Sequence, residues 1–199
     1  RHARDGSTWR WFGKRRRERR ERRNHDEVSQ PIGLTKRRPT GIGQDERMEA
    51  GSIGPADLSS GSLYDLLTAA IAPRPIALVS TISADGQANL APFSFFMLGG
   101  IDPPSVCFSP TLGREGAPKH TLLNIESTRE FVVNLVDRPL IHAMNEASFN
   151  FPRHVDEAVE VGLDMAPSEL VRPSRVATSP MALECKVVEI VAHGTRFGG

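Results

Sequence analysis

The sequence predicts a mainly β domain with short helices, an α+β fold or small β-barrel. Three observations predict it. β-Branched and aromatic runs recur at 76–82, 89–96, 106–109, 131–136 and 181–191. Gly, Pro and Asp-Gly signals break the chain between them. Apolar residues at helical spacing come only in short pieces, and long crossover helices do not alternate with the strands. A doubly wound parallel sheet is therefore not expected.

The elements follow in order from Met48. Ser62 is placed to cap a short helix with Leu63, Leu66, Leu67 and Ala70 on one face. Pro73 and Pro75 stop it, because each lacks an N–H and restrains its predecessor. The run 76–82 carries apolar residues on both faces, which suits a strand buried on two sides. Asp85-Gly86 is a favoured hairpin pair, so 89–96 returns as a second strand. Pro103 and Pro104 precede a third strand at 106–109. Residues 113–118 read as a Gly- and Pro-rich loop. Leu122, Leu123 and Ile125 mark a short helix, and 131–136 a fourth strand. Pro139 suits the first turn of another helix carrying Leu140, Ile141 and Met144. Val155, Val159 and Leu163 step by four, as in a third helical piece. A Pro-rich loop spans 167–180, and 181–191 reads as a long last strand.

Charge divides the chain differently. The net charge is +1, but residues 1–50 carry +7 and residues 51–199 carry −6. Residues 1–47 read as a basic disordered arm, since their few apolar residues follow no period. Trp9 and Trp11 among arginines would suit an arm that binds nucleic acid. A solvated tail is the simpler reading, and nucleic acid is not the expected partner. Met48, where the composition changes, is a candidate start, which makes the arm a candidate artefact of gene prediction. The expected domains are thus 1–47 and 48–199.

Several classes are not supported. No apolar stretch reaches the roughly 20 residues of a membrane span. No apolar core follows the basic start, as a secretory signal would need. Cys107 and Cys185 lack C-x-x-C spacing and are too few for a disulfide scaffold or zinc site. They fit a reduced, cytoplasmic setting. Both lie in apolar strand sequences, where cysteine acts as a small buried hydrophobe. There is no G-x-S-x-G elbow, no H-E-x-x-H helix and no metal-ligand cluster.

The chemistry-bearing residues are distributed. Ser94 sits among aromatics at the end of the second strand. Ser109, Arg114 and Gly116 lie around the following loop. Lys119, His120 and Thr121 open a helix. A helix start with free N–H groups, a hydroxyl and cations suits a phosphate. A plain N-cap beside surface charges is the competing reading.

Six stretches together resemble the flavin reductase-like, FMN-binding split-barrel family: APRPIALVST at 72–81, NLAPFSFF at 89–96, DPP at 102–104, KHTLLNI at 119–125, EFVVNL at 130–135 and SPMALEC at 179–185. The resemblance covers about two thirds of the chain and none of residues 1–50. It implies a split β-barrel that holds FMN without a covalent bond at a homodimer interface, with NAD(P)H as electron donor. Ala91, Pro92, Phe93, Ser94 and Phe95 would then line the flavin ring. Ser109, Arg114, Lys119 and Thr121 would be the phosphate-side residues. His120 stands where the family often has an acidic or small residue. Residues 145–151 would lie near the substrate face. No catalytic residue is assigned, because the cofactor carries the hydride chemistry. His120 and His142 are the candidate proton donors. Electrons would pass to free flavin, another small-molecule acceptor or a partner oxygenase. A flavin- or haem-binding split barrel without turnover is the alternative. Family members usually continue beyond the strand at 181–191, so the barrel is expected to be truncated at its C-terminus.

Overall fold

The computed structural model describes residues 34–35, 52–112 and 116–193. The chain divides into two units, Arg1–Leu63 and Tyr64–Gly199. In the first, β1 (Leu34–Thr35) pairs antiparallel with β2 (Ser52–Ile53). A 3-10 turn at Pro55–Asp57 follows, where the Asp57 carboxylate accepts the Gly54 N–H at 2.8 Å. The rest of the expected arm, residues 1–47, lies outside the described residues. Helix α1 (Ser60–Ala70) runs from this unit into the next. It starts two residues before the expected cap, and Arg74 closes its far end by donating to the carbonyls of Thr68 and Ile71.

The second unit is built on β3 (Ala77–Ile82), β4 (Ala88–Phe93), β5 (Phe96–Ile101) and β6 (Pro104–Phe108). Then come α2 (His120–Thr128), β7 (Glu130–Leu135), α3 (Ile141–Glu146) and α4 (Glu157–Glu160). Three short strands end it: β8 (Met165–Ala166), β9 (Arg175–Val176) and β10 (Ala182–Lys186). The main sheet has the order β10-β7-β3-β4, with every pair antiparallel. β5 pairs with β6 and β8 with β9 as separate two-stranded sheets. Among the described residues these sheets do not join into a closed barrel.

The period of two explains the core. Ala77 and Val79 of β3 face one side with Phe93, Ile125, Phe131 and Val133. Leu78 faces the other with Leu90, Leu140, Ala147, Ala158 and Val176. The central strand is thus buried on both sides, as its sequence predicts. Each fully buried Val or Leu contributes ~1.5–3 kcal/mol, so this strand anchors the unit. Asn134 is also fully buried. It donates to the Leu78 carbonyl at 3.0 Å and accepts from the Val176 N–H at 2.8 Å, which offsets its desolvation.

Four expectations change in detail. The run 89–96 is not one strand, because β4 ends at Phe93 and a bend at Ser94 and Phe95 leads into β5. The helix around Val159 is a single turn. The Pro-rich loop contains β9, which pairs with β8. The last strand stops at Lys186 rather than Val191. Cys107 is a correction too. It is exposed, not buried: among the described residues β6 pairs with β5 alone, which leaves the Cys107 face open.

Candidate functional site

The bend at Ser94 and Phe95 delivers an aromatic cluster to the start of α2. Phe93 alternates inward at the end of β4 and is buried. Its ring centroid lies 5.3 Å from that of Phe108, which lies 5.2 Å from Phe131. Lys119 Nζ sits 5.3 Å from the Phe93 centroid, within cation–π range. The Ser109 N–H donates to the Phe95 carbonyl at 2.9 Å. The exit of β6 is thereby fixed beside the bend. Phe95 also stacks at a tilt on Tyr64, with centroids 6.1 Å apart. Ala91, Pro92 and Ser94 are half-buried.

Lys119 precedes α2, and its carbonyl accepts from the Leu122 and Leu123 N–H groups at 3.0 and 3.2 Å. Among the described residues no side chain caps this end of the helix. The positive end of the helix dipole therefore stands beside Lys119 and His120. Burial lowers the pKa of Lys119. It lowers that of His120 too, with a further push from the Arg153 charge. Neither shift owes anything to a carboxylate. The arrangement can take an anion, because it sets the Lys119 ammonium beside helix N–H groups that have no hydrogen-bond partner among the described residues.

Thr121 faces the other way. It is buried, and its hydroxyl lies 2.9 Å from the Asn89 amide. A carboxylate can only accept, so the Asn89 amide is best turned with its nitrogen toward Glu157 Oε1 at 3.3 Å and its oxygen toward Thr121. Glu157 Oε2 accepts the Leu90 N–H at 2.9 Å. Glu157 is 5% exposed, and burial raises its pKa. One turn along α2, Asn124 donates to Thr81 Oγ1 at 3.1 Å and accepts from Arg153 Nη2 at 3.2 Å.

The structure thus gathers Phe93, Phe95, Ser109 and Lys119, with Ala91, Pro92, Ser94 and Thr121 as their immediate chain neighbours. Arg114 lies outside the described residues. His120 stands at the helix start. His142 is exposed on α3, and Ala147 packs with Leu78 and Leu90 on the face opposite Phe93. The residues sequence reasoning missed are Asn89 in its buried role, Asn124, Arg153 and Glu157. The only signal for Asn124 was an amide in the apolar turn of KHTLLNI. Glu157 gave none, since an acid near a helix start is ordinary.

The family model for the flavin reductase like domain matches residues 69–197. The chain belongs to this family. Its fold is the flavin reductase-like split barrel, mostly strands with a few short helices. An uncharacterized protein of Deinococcus radiodurans is 44% identical over 141 residues, 69% of this chain and 62% of that protein. The chain therefore spans less than two thirds of that relative. Among solved structures, 2-nitrobenzoate 2-nitroreductase NbaA of Pseudomonas fluorescens is 35% identical with a TM-score of 0.62, over 70% of this chain and 66% of that one. Nitrilotriacetate monooxygenase component B of Bacillus cereus is 28% identical with a TM-score of 0.69, over 75% of each chain. Among the described residues no helix is long and apolar enough to cross a membrane.

Proposed function

We propose that this flavin reductase-like protein binds FMN and passes a hydride from NAD(P)H to it. The observation that carries the reading is the uncapped start of α2, with Lys119 laid over Phe93 at the end of β4. It joins an anion site to an aromatic wall, the two chemistries FMN presents. The residues fit the cofactor. Lys119 and the backbone N–H groups of His120 and Thr121 would hold the phosphate, with Ser109 on the same side; Arg114, outside the described residues, is a further candidate from the sequence. The Thr121 hydroxyl is already engaged by Asn89, so its backbone is the group available. Ala91, Pro92, Phe93, Ser94 and Phe95 would line the ring.

When bound, the flavin supplies the hydride chemistry. The protein's own tasks are binding, orientation and exclusion of water. Aromatic side chains suit the second and third, because they are rigid and apolar. His120 is placed to exchange a proton beside the phosphate limb, and its lowered pKa keeps it neutral at pH 7. The reading includes a homodimer, with the second copy completing the cofactor site. Exposed Met97, Leu98 and Ile101 on β5 offer an apolar surface for it. The similarity to a monooxygenase component B supports delivery of electrons to a partner oxygenase. The similarity to a nitroreductase supports a small-molecule acceptor instead. Free Cys107 and Cys185 fit a reducing, cytoplasmic setting.

Anaerobic titration tests the reading. The purified chain is mixed with FMN, then with NADH or NADPH. Quenching of FMN fluorescence at micromolar protein, then bleaching of the visible flavin band, is the expected result. Binding without bleaching would leave a flavin carrier without turnover.

A further inference from the structure

Asn89 and Glu157 have no part in the mechanism above, yet both are buried beside it. β4 is an edge strand of the main sheet. The hairpin closes with the Ser83 N–H on the Gln87 carbonyl, and Thr81 faces Asn89 in register. Antiparallel pairing alternates. The N–H groups of Asn89, Ala91 and Phe93 therefore point to β3, and those of even-numbered residues point to the open edge. Pro92 has no N–H to offer. Between Asn89 and Phe93 the edge thus has one outward donor, Leu90. Glu157 accepts it at 2.9 Å. An apolar side chain here would avoid burying a carboxylate but would leave the Leu90 N–H unpaired, and both are costly. The carboxylate does more than satisfy that donor. It also meets the Asn89 amide, and that amide meets Thr121 in the first turn of α2.

We propose that Asn89 and Glu157 are positioning residues: the hydrogen-bonded chain Glu157–Asn89–Thr121 fixes the start of α2, the phosphate limb, against β4, the ring limb. The inference rests on the FMN reading above. Two contacts then join the limbs, four positions apart along β4. One is Asn89 with Thr121, and the other is Phe93 with Lys119. The next turn of α2 is held by Asn124 on Thr81 and by Ile125 in the core, so the Asn89–Thr121 contact governs the first turn, which carries the phosphate-facing N–H groups. Without the buried chain, the ring limb stays on its sheet. Only the N–H groups and Lys119 lose their aim.

Riboflavin separates the two limbs, because it has the ring without the phosphate. Dissociation constants for FMN and riboflavin are measured on the full chain and on Asn89→Ala, Glu157→Ala and Glu157→Gln, with a thermal melt of each. The wild type is expected to prefer FMN. Asn89→Ala and Glu157→Ala should each cut that preference about fivefold, the effect of one ordinary hydrogen bond, with riboflavin binding unchanged. The double alanine variant should lose no more than Asn89→Ala alone, since both act through one chain. Glu157→Gln should restore most of the preference, because its amide can still accept from Leu90 and bond Asn89. Asn89→Ser, too short to span both partners, serves if the alanine variant does not fold. Equal weakening of both ligands, or an unchanged preference, overturns the inference while FMN binding stands. A wild type that binds neither ligand overturns the FMN reading and this inference with it.

Discussion

The two cysteines show how burial, rather than sequence, sets a residue's chemistry. Both lie in apolar strand sequences and look alike on paper. Cys185 packs against the Phe93 and Phe131 face, and burial, with a smaller push from the Glu184 charge, raises its pKa to about 12. Cys107 is exposed on β6. At pH 8 a thiol reagent should modify one group quickly and the second only on adding denaturant, since the thiolate is the reactive form. Two fast groups in the folded chain would contradict the placement of Cys185. Glu157 gives a pH dependence at the same scale. Its folded pKa is raised, so the folded state favours the protonated form. The stability this contributes is complete below the unfolded pKa and is lost as pH rises through the folded one. Melting temperatures of wild type and Glu157→Gln, compared from about pH 4 to about pH 7, should show the wild type losing ground as pH rises. A constant difference would mean the carboxyl is not desolvated.

At the scale of elements, the turn between β3 and β4 sets the register on which the site depends. Gly86 has φ +93°, a conformation L side chains rarely adopt. Gly86→Ala should therefore cost about 1 kcal/mol or somewhat more, read as a lower melting temperature. No loss would mean the turn relaxes without cost. This turn was legible, because Asp85-Gly86 is a local signal. The break at Ser94 was not. Aromatic residues recur at 93, 95 and 96, so no local signal marks the end of the strand at Phe93, and the packing of Phe93, with Ser109 on the Phe95 carbonyl, accompanies the bend there. β10 is shorter than its sequence suggests for a related reason. Apolar residues continue to Val191, but β7 offers partners only as far as Glu130, opposite Lys186.

For the molecule as a whole, the family and the fold class were readable because six motifs occur in order, each carrying local chemistry. The site was readable only as segments. Composition places Lys119 at a helix start, but not over the ring of a phenylalanine 26 positions earlier. The bonds that tie Asn89, Thr121, Asn124 and Glu157 together stayed hidden, because they join residues far apart in sequence, 67 positions for Glu157 with Leu90 alone. The net charge of +1 likewise concealed a basic front and an acidic body. Everything proposed about function depends on one point, that the start of α2 and the bend after β4 together hold FMN. Titrating the purified chain into FMN tests it most directly. The account predicts saturable quenching of flavin fluorescence at micromolar protein, weaker with riboflavin. A chain that shows the far-ultraviolet signal and cooperative melt of a folded β protein, yet leaves FMN fluorescence unchanged, would contradict it.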